Sequence, residues 1–151
     1  MVNEQIFLAQ LKSLIEDDIY DITTLSNMSA LINQHYDNIN WVGFYITDDQ
    51  NNLYLGPFQG KTACTYIKYG NGVCGSALKH QRTFRVENVH EFEGHIACDS
   101  ASNSEIVIPI FVNDKVYGVL DIDSPLLNRF SEEDEKVLSK AVKILEDKLS
   151  K

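Results

Sequence analysis

Glu105-Ile106-Val107-Ile108-Pro109-Ile110-Phe111-Val112-Asn113-Asp114-Lys115-Val116-Tyr117-Gly118-Val119-Leu120-Asp121-Ile122-Asp123 is the stretch on which the fold turns. Two runs rich in β-branched and apolar residues flank Asn113-Asp114-Lys115, which has the composition of a tight turn. The pair reads as an antiparallel hairpin. Pro109 lies within the first run and has no amide hydrogen, so its position faces a sheet edge, a bulge or no partner at all. Upstream, residues 40–47 and 53–58 form a second pair of aromatic and β-branched runs around the polar cluster 48–52. They predict a second hairpin. Between the hairpins lie a short helix over 74–81, a short strand at Arg85-Val86 and a polar, irregular stretch over 87–104.

Helices sit at both ends. Residues 3–17 carry Ile6, Phe7, Leu11, Leu14 and Ile15 on one face. Residues 22–36 carry Leu25, Met28, Leu31, Ile32 and Tyr36, with Thr23 or Thr24 as the expected cap. After Pro125, Ser131 and Asp134 have capping-box spacing, and Val137, Leu138, Ala141, Ile144, Leu145 and Leu149 give a buried stripe. The order predicts an α+β fold: a central antiparallel sheet flanked by N-terminal and C-terminal helices, not an alternating doubly wound fold.

At 151 residues the chain has the length of one domain. Thirteen Lys+Arg against 22 Asp+Glu give a net charge of −9. That balance argues against nucleic-acid and membrane-surface partners. No apolar run has the length of a membrane span, and the N-terminus lacks the pattern of a signal peptide, so an intracellular protein is expected. Three cysteines are too few for a disulfide scaffold.

Those cysteines are the first candidates for chemistry. Cys98 lies in a polar loop of small residues, as does Cys64. Cys74 stands near the start of the short helix, where the helix end lowers a thiol pKa. Composition leaves inert core thiols and reactive thiols both open. A zinc site with His80, His90 or His95 is conceivable but lacks a close ligand pair, and no metal is expected. Asp121 and Asp123 alternate with Leu120 and Ile122, so both carboxylates lie on one face of their strand. Across the hairpin Glu105 falls near them. A solvated strand end is the commoner reading of such a trio. The alternative is a pocket for a cationic group, with one crowded carboxyl held protonated. Trp41 and Tyr45 share strand parity and can wall one pocket.

Several segments together are recognisable. They are Asn40-Trp41-Val42-Gly43-Phe44-Tyr45, Gly56-Pro57-Phe58-Gln59-Gly60, Gly70-Asn71-Gly72-Val73-Cys74-Gly75, His95-Ile96-Ala97-Cys98-Asp99, Ser104-Glu105-Ile106-Val107-Ile108-Pro109 and Gly118-Val119-Leu120-Asp121-Ile122-Asp123-Ser124. With these the chain resembles the free methionine-(R)-sulfoxide reductases, whose fold is that of GAF small-molecule-binding domains. The resemblance implies one GAF-like domain over 1–151 and a cytoplasmic oxidoreductase acting in oxidative-stress repair. Its substrate would be the free amino acid sulfoxide. Cys98 would be the nucleophile, passing through a sulfenic acid to a disulfide. Cys64 is the favoured resolving thiol and Cys74 a secondary one, a choice the residues themselves leave open. Glu105 would supply a proton and bind substrate, with Asp121, Asp123, Trp41 and Tyr45 completing the binding site. No bound cofactor is implied; thioredoxin and NADPH would be the outside electron source. The amphipathic N-terminal helices can serve a homodimer, and the resemblance leans that way. The rival expectations are a GAF binding module without turnover and a thiol redox sensor.

Overall fold

Asn113 and Asp114 both adopt positive φ, 52° and 64°. A type I′ hairpin turn needs this at its two central residues, and Asn and Asp tolerate it. The turn is thus one residue shorter than the composition suggests, and Lys115 already pairs with Val112. The computed structural model describes residues 2–94 and 101–150. In chain order the elements are α1 (Glu4–Ile15), α2 (Asp21–His35), β1 (Trp41–Thr47), β2 (Leu53–Gly60), β3 (Tyr66–Ile67), α3 (Gly72–His80), β4 (Phe84–Val86), β5 (Ser104–Val112), β6 (Lys115–Ser124) and α4 (Glu132–Leu149). A single 3-10 turn, Val89–Glu91, follows β4.

The strands form one six-stranded sheet in the order β3-β2-β1-β6-β5-β4. Every pairing is antiparallel. The expected α+β architecture stands. Beyond Val107, β4 no longer pairs with β5, and Pro109 falls in that stretch. The register shifts after Ile110, and there the Phe111 N–H donates to Glu146 Oε2 of α4 at 2.7 Å.

Period-two alternation gives the sheet two different faces. Val42, Phe44, Ile106, Ile108, Ile110, Leu120 and Ile122 point to one side and pack with α1, α2 and α4 in the larger core. Trp41, Tyr45, Val107 and Val119 point to the other and pack with Val73, Cys74, Ala77 and Leu78 of α3. α4 begins at the predicted capping box: Ser131 Oγ accepts from the Asp134 N–H, and Asp134 Oδ2 accepts from the Ser131 N–H.

Two helix expectations need correction. α2 starts at Asp21 with Tyr20 in the cap position, not Thr23 or Thr24. Thr24 is buried one turn in and donates to Asp18 Oδ2 at 2.8 Å. On α1 only Phe7, Leu11 and Ile15 are buried, while Ile6 and Leu14 are 51% and 40% exposed. The helix meets its neighbours along one line of i, i+4 contacts, narrower than the apolar stripe. Among the described residues no helix is long and apolar enough to cross a membrane.

Candidate active site

The site face of the sheet is built by register. Trp41 lies opposite Asp123 and Gly43 opposite Asp121, and Glu105 lies opposite Asp123 on the far side of β6. Directly opposed residues of an antiparallel pair project to the same face. Glu105, Asp121, Asp123, Trp41 and Tyr45 are therefore brought together, as strand parity predicts.

The acids are not a solvated strand end. Glu105, Asp121 and Asp123 are only 7%, 5% and 9% exposed. Three carboxyl groups at close range in low dielectric cannot all ionise. Burial first, then the charges of Asp121 and Asp123, push the Glu105 carboxyl well above the usual carboxylate range. Burial also raises Asp121, opposed by hydrogen bonds from Glu105 and from Cys74. A Glu105 carboxyl that keeps its proton is placed to donate it to a neighbouring aspartate carboxylate. Asp121 Oδ1 is buried with no hydrogen-bond partner among the described residues. It is a buried acceptor left unsatisfied beside Glu105 and Cys74.

Cys74 is the third residue of α3 and is buried. Its sulfur lies 4.0 Å from Glu105 Oε2. The expected lowering by the helix end is overturned. Burial, followed by the charges of Asp121, Glu105 and Asp123, pushes the thiol well up. One ligand atom each from Cys74, Glu105 and Asp121 lies within 4.8 Å of the others, the spacing of a metal triad. Protons held on the thiol and on Glu105 would compete with a cation at two of those three positions.

Three rings form the adjoining wall. Trp41 stacks on Tyr45 at 5.9 Å and on Phe58 at 5.2 Å between centroids. Gly43 lies beneath them because a Cβ there would come 2.3 Å from Phe58 Cβ and 2.8 Å from Trp41 Cη2. Phe58 is a wall residue that the sequence reading placed only in a strand. Its pairing with Gly43 is the signal, and it becomes visible once the register of β1 and β2 is known. The Trp41 Nε1–H donates to the Lys61 carbonyl at 3.1 Å. The Tyr45 hydroxyl donates to the Cys64 carbonyl at 3.0 Å. Burial and the nearby Asp121 raise the Tyr45 pKa further, so the phenol keeps its proton.

Cys64 lies in the loop between β2 and β3 and is disulfide-bonded. Cys74 is a free thiol. Cys98 and His95 lie outside the described residues. On either side of that stretch the chain is tied down. The Val89 N–H donates to the Asn103 carbonyl at 2.9 Å, and the Asn103 N–H to the Ser124 carbonyl at 2.8 Å. Asn40 Nδ2 donates to Ser102 Oγ at 3.2 Å. His90 is exposed, as expected, with Nε2 2.8 Å from Asn103 Oδ1.

The GAF domain family model matches residues 20–146. Free methionine-R-sulfoxide reductase of Escherichia coli strain K12 is 52% identical over 129 residues, 85% of this chain and 78% of that protein. Among solved structures, fRMsr of Staphylococcus aureus in complex with substrate superposes with a TM-score of 0.94 at 52% identity, covering 99% of this chain and 97% of that one. Free methionine-R-sulfoxide reductase from Neisseria meningitidis in complex with its substrate gives a TM-score of 0.92 at 40% identity, covering 96% and 87%. Similarity of this extent, over a site face built from the same segments that carried the resemblance, places the chain in the free methionine-R-sulfoxide reductase family of GAF domains.

Proposed function

We propose that the chain reduces free L-methionine (R)-S-oxide to L-methionine by thiol chemistry. The observation that carries this reading is the buried carboxyl trio set against an aromatic wall, with Asp121 Oδ1 left without a partner. A free amino acid brings an ammonium, which would satisfy that acceptor with a charge-assisted hydrogen bond. A peptide-bound residue brings a neutral amide and forfeits it. The ring faces of Trp41, Tyr45 and Phe58 suit the methyl and thioether end of the substrate.

In the proposed cycle the Cys98 thiolate attacks the sulfoxide sulfur. The S–O oxygen leaves sulfur only if it gains a proton, and Glu105 is held protonated for that purpose. Net, thiol and sulfoxide become sulfenic acid and thioether: the cysteine sulfur is oxidised by two electrons and the methionine sulfur is reduced by two. The Cys64 thiol then displaces water from the sulfenic acid and a disulfide forms. An outside dithiol, for which we propose thioredoxin reduced by NADPH, exchanges with that disulfide and restores both thiols. The disulfide at Cys64, beside a free and buried Cys74, supports the division of roles. As a secondary resolving thiol, Cys74 would have to leave the carboxyl cluster first. Nothing in the cycle needs a bound cofactor.

The test is NADPH oxidation coupled through thioredoxin, with free methionine-R-sulfoxide, its S epimer and an N-acetylated R-sulfoxide as substrates. Turnover of the free R form, with the other two slower by about 100-fold or more, is the expected result. Equal rates on the free and N-acetylated forms would remove the ammonium from the argument. No turnover of any of them would leave the binding-module reading.

A further inference from the structure

The loop that carries Cys64 is held from beneath by two side chains of one strand. The Trp41 Nε1–H takes the Lys61 carbonyl at 3.1 Å and the Tyr45 hydroxyl takes the Cys64 carbonyl at 3.0 Å. At the next residue the Leu55 N–H donates to the Thr65 carbonyl at 3.1 Å. Every one of these contacts uses a main-chain oxygen, so none engages the cysteine sulfur. The donors are themselves fixed. Trp41 and Tyr45 are each 2% exposed, and Trp41 stacks on both Tyr45 and Phe58.

We infer that Trp41 and Tyr45 are positioning residues for Cys64: their N–H and O–H groups fix the 61–64 loop so that the Cys64 thiol stands where its disulfide closes. This goes beyond their place in the substrate wall, and it rests on the reading of Cys64 as the resolving thiol. A disulfide closes only over a narrow range of Cα and Cβ separations. Once it has formed, the covalent bond orders the loop, and the two hydrogen bonds are then made at full strength with no further ordering cost. In the dithiol state nothing covalent does so, and the same bonds must offset the freedom of the loop, so they are worth less there while still raising the effective concentration of the thiol at its target. Their loss therefore favours the dithiol selectively.

The wild-type chain, Tyr45→Phe and Trp41→Phe are each equilibrated in a glutathione redox buffer. There one protein disulfide and two glutathiones exchange with two protein thiols and one glutathione disulfide. Tyr45→Phe keeps the ring and loses only the hydroxyl. We expect the equilibrium to move toward the dithiol by about three- to fivefold in each variant, the shift set by the net worth of one hydrogen bond. Trp41→Phe removes the other donor and gives the same readout independently. Equilibrium constants within about twofold of wild type overturn the inference, even where sulfoxide turnover has fallen. A separate arm oxidises the wild-type chain with stoichiometric free methionine-R-sulfoxide and maps the disulfide. No disulfide at Cys64 sinks the resolving-thiol reading and this inference together. A mapped Cys64 disulfide with unshifted variants sinks the inference alone.

Discussion

The burial that keeps Glu105 protonated also sets how the fold responds to pH. Asp121 and Asp123 act on it through charge and hydrogen bonding, and the Cys74 sulfur lies 4.0 Å from its Oε2. Its folded pKa is raised, so the native state holds a proton that the unfolded chain releases in the ordinary carboxylate range. The contribution to stability is full below the unfolded value and is lost as pH rises through the folded one. Glu105→Gln has no proton to lose. We expect it to match wild type near pH 4 and to melt higher at pH 8, by roughly 2–4 °C for each kcal/mol regained in a chain of this size. Its sulfoxide turnover should fall about 100-fold or more, as for loss of a general acid. Calorimetry and the coupled assay check the two halves. An unchanged melting difference across pH would mean that Glu105 is not the group holding the proton. At this scale the sequence was legible through strand parity, which puts Asp121, Asp123, Trp41 and Tyr45 on one face. Parity names a face and not what covers it, and α3, whose Cys74 lies against Glu105, is what the alternation does not reveal. Cys74 was misread for a similar reason: the helix end is a local signal, and burial beside three carboxyls is not.

Within β1, Gly43 decides whether the aromatic wall can exist. Gly43→Ala would put a methyl group 2.3 Å from Phe58 Cβ and 2.9 Å from its Cα, so the backbone of the paired strand would have to shift. Overpacking of this kind costs about 1–3 kcal/mol. We expect a lower denaturant midpoint and an altered emission from Trp41, the only tryptophan in the chain. An unchanged midpoint would show that β1 and β2 can separate locally without loss. Both hairpins and the α4 cap were legible because their signals are local: turn residues, alternation and a Ser and an Asp three apart. The start of α2 was not. Tyr20 holds the cap position with no side-chain hydrogen bond, while Thr24, the better capping residue by type, is spent on Asp18. The narrow contact line of α1 was hidden too, since an apolar stripe does not say how much of itself a neighbour will cover.

The sheet divides the molecule into two unequal cores. The larger binds α1, α2 and α4; the smaller lies under α3 and the site. Opening free energy follows local burial, so the two sides should not open together. In native-state hydrogen exchange, the amides of α3 are expected to exchange faster than those of β6 and of the middle of α4. Equal protection throughout would mean that the site opens only when the whole fold does. The division itself was foreshadowed by alternation in β1 and β6. Its inequality was not, because it depends on which helices return to which face. The sheet's borders have a consequence of another kind. One outer strand, β3, is two residues long and the other, β4, is three. Where β4 stops, Pro109 has no amide hydrogen to offer, and the Phe111 amide is already held by Glu146. Open sheet edges are templates on which foreign strands grow, and short or blocked edges deny them purchase. An apolar β5, whose first seven residues are all buried, can thus sit next to the sheet's margin without inviting aggregation between molecules.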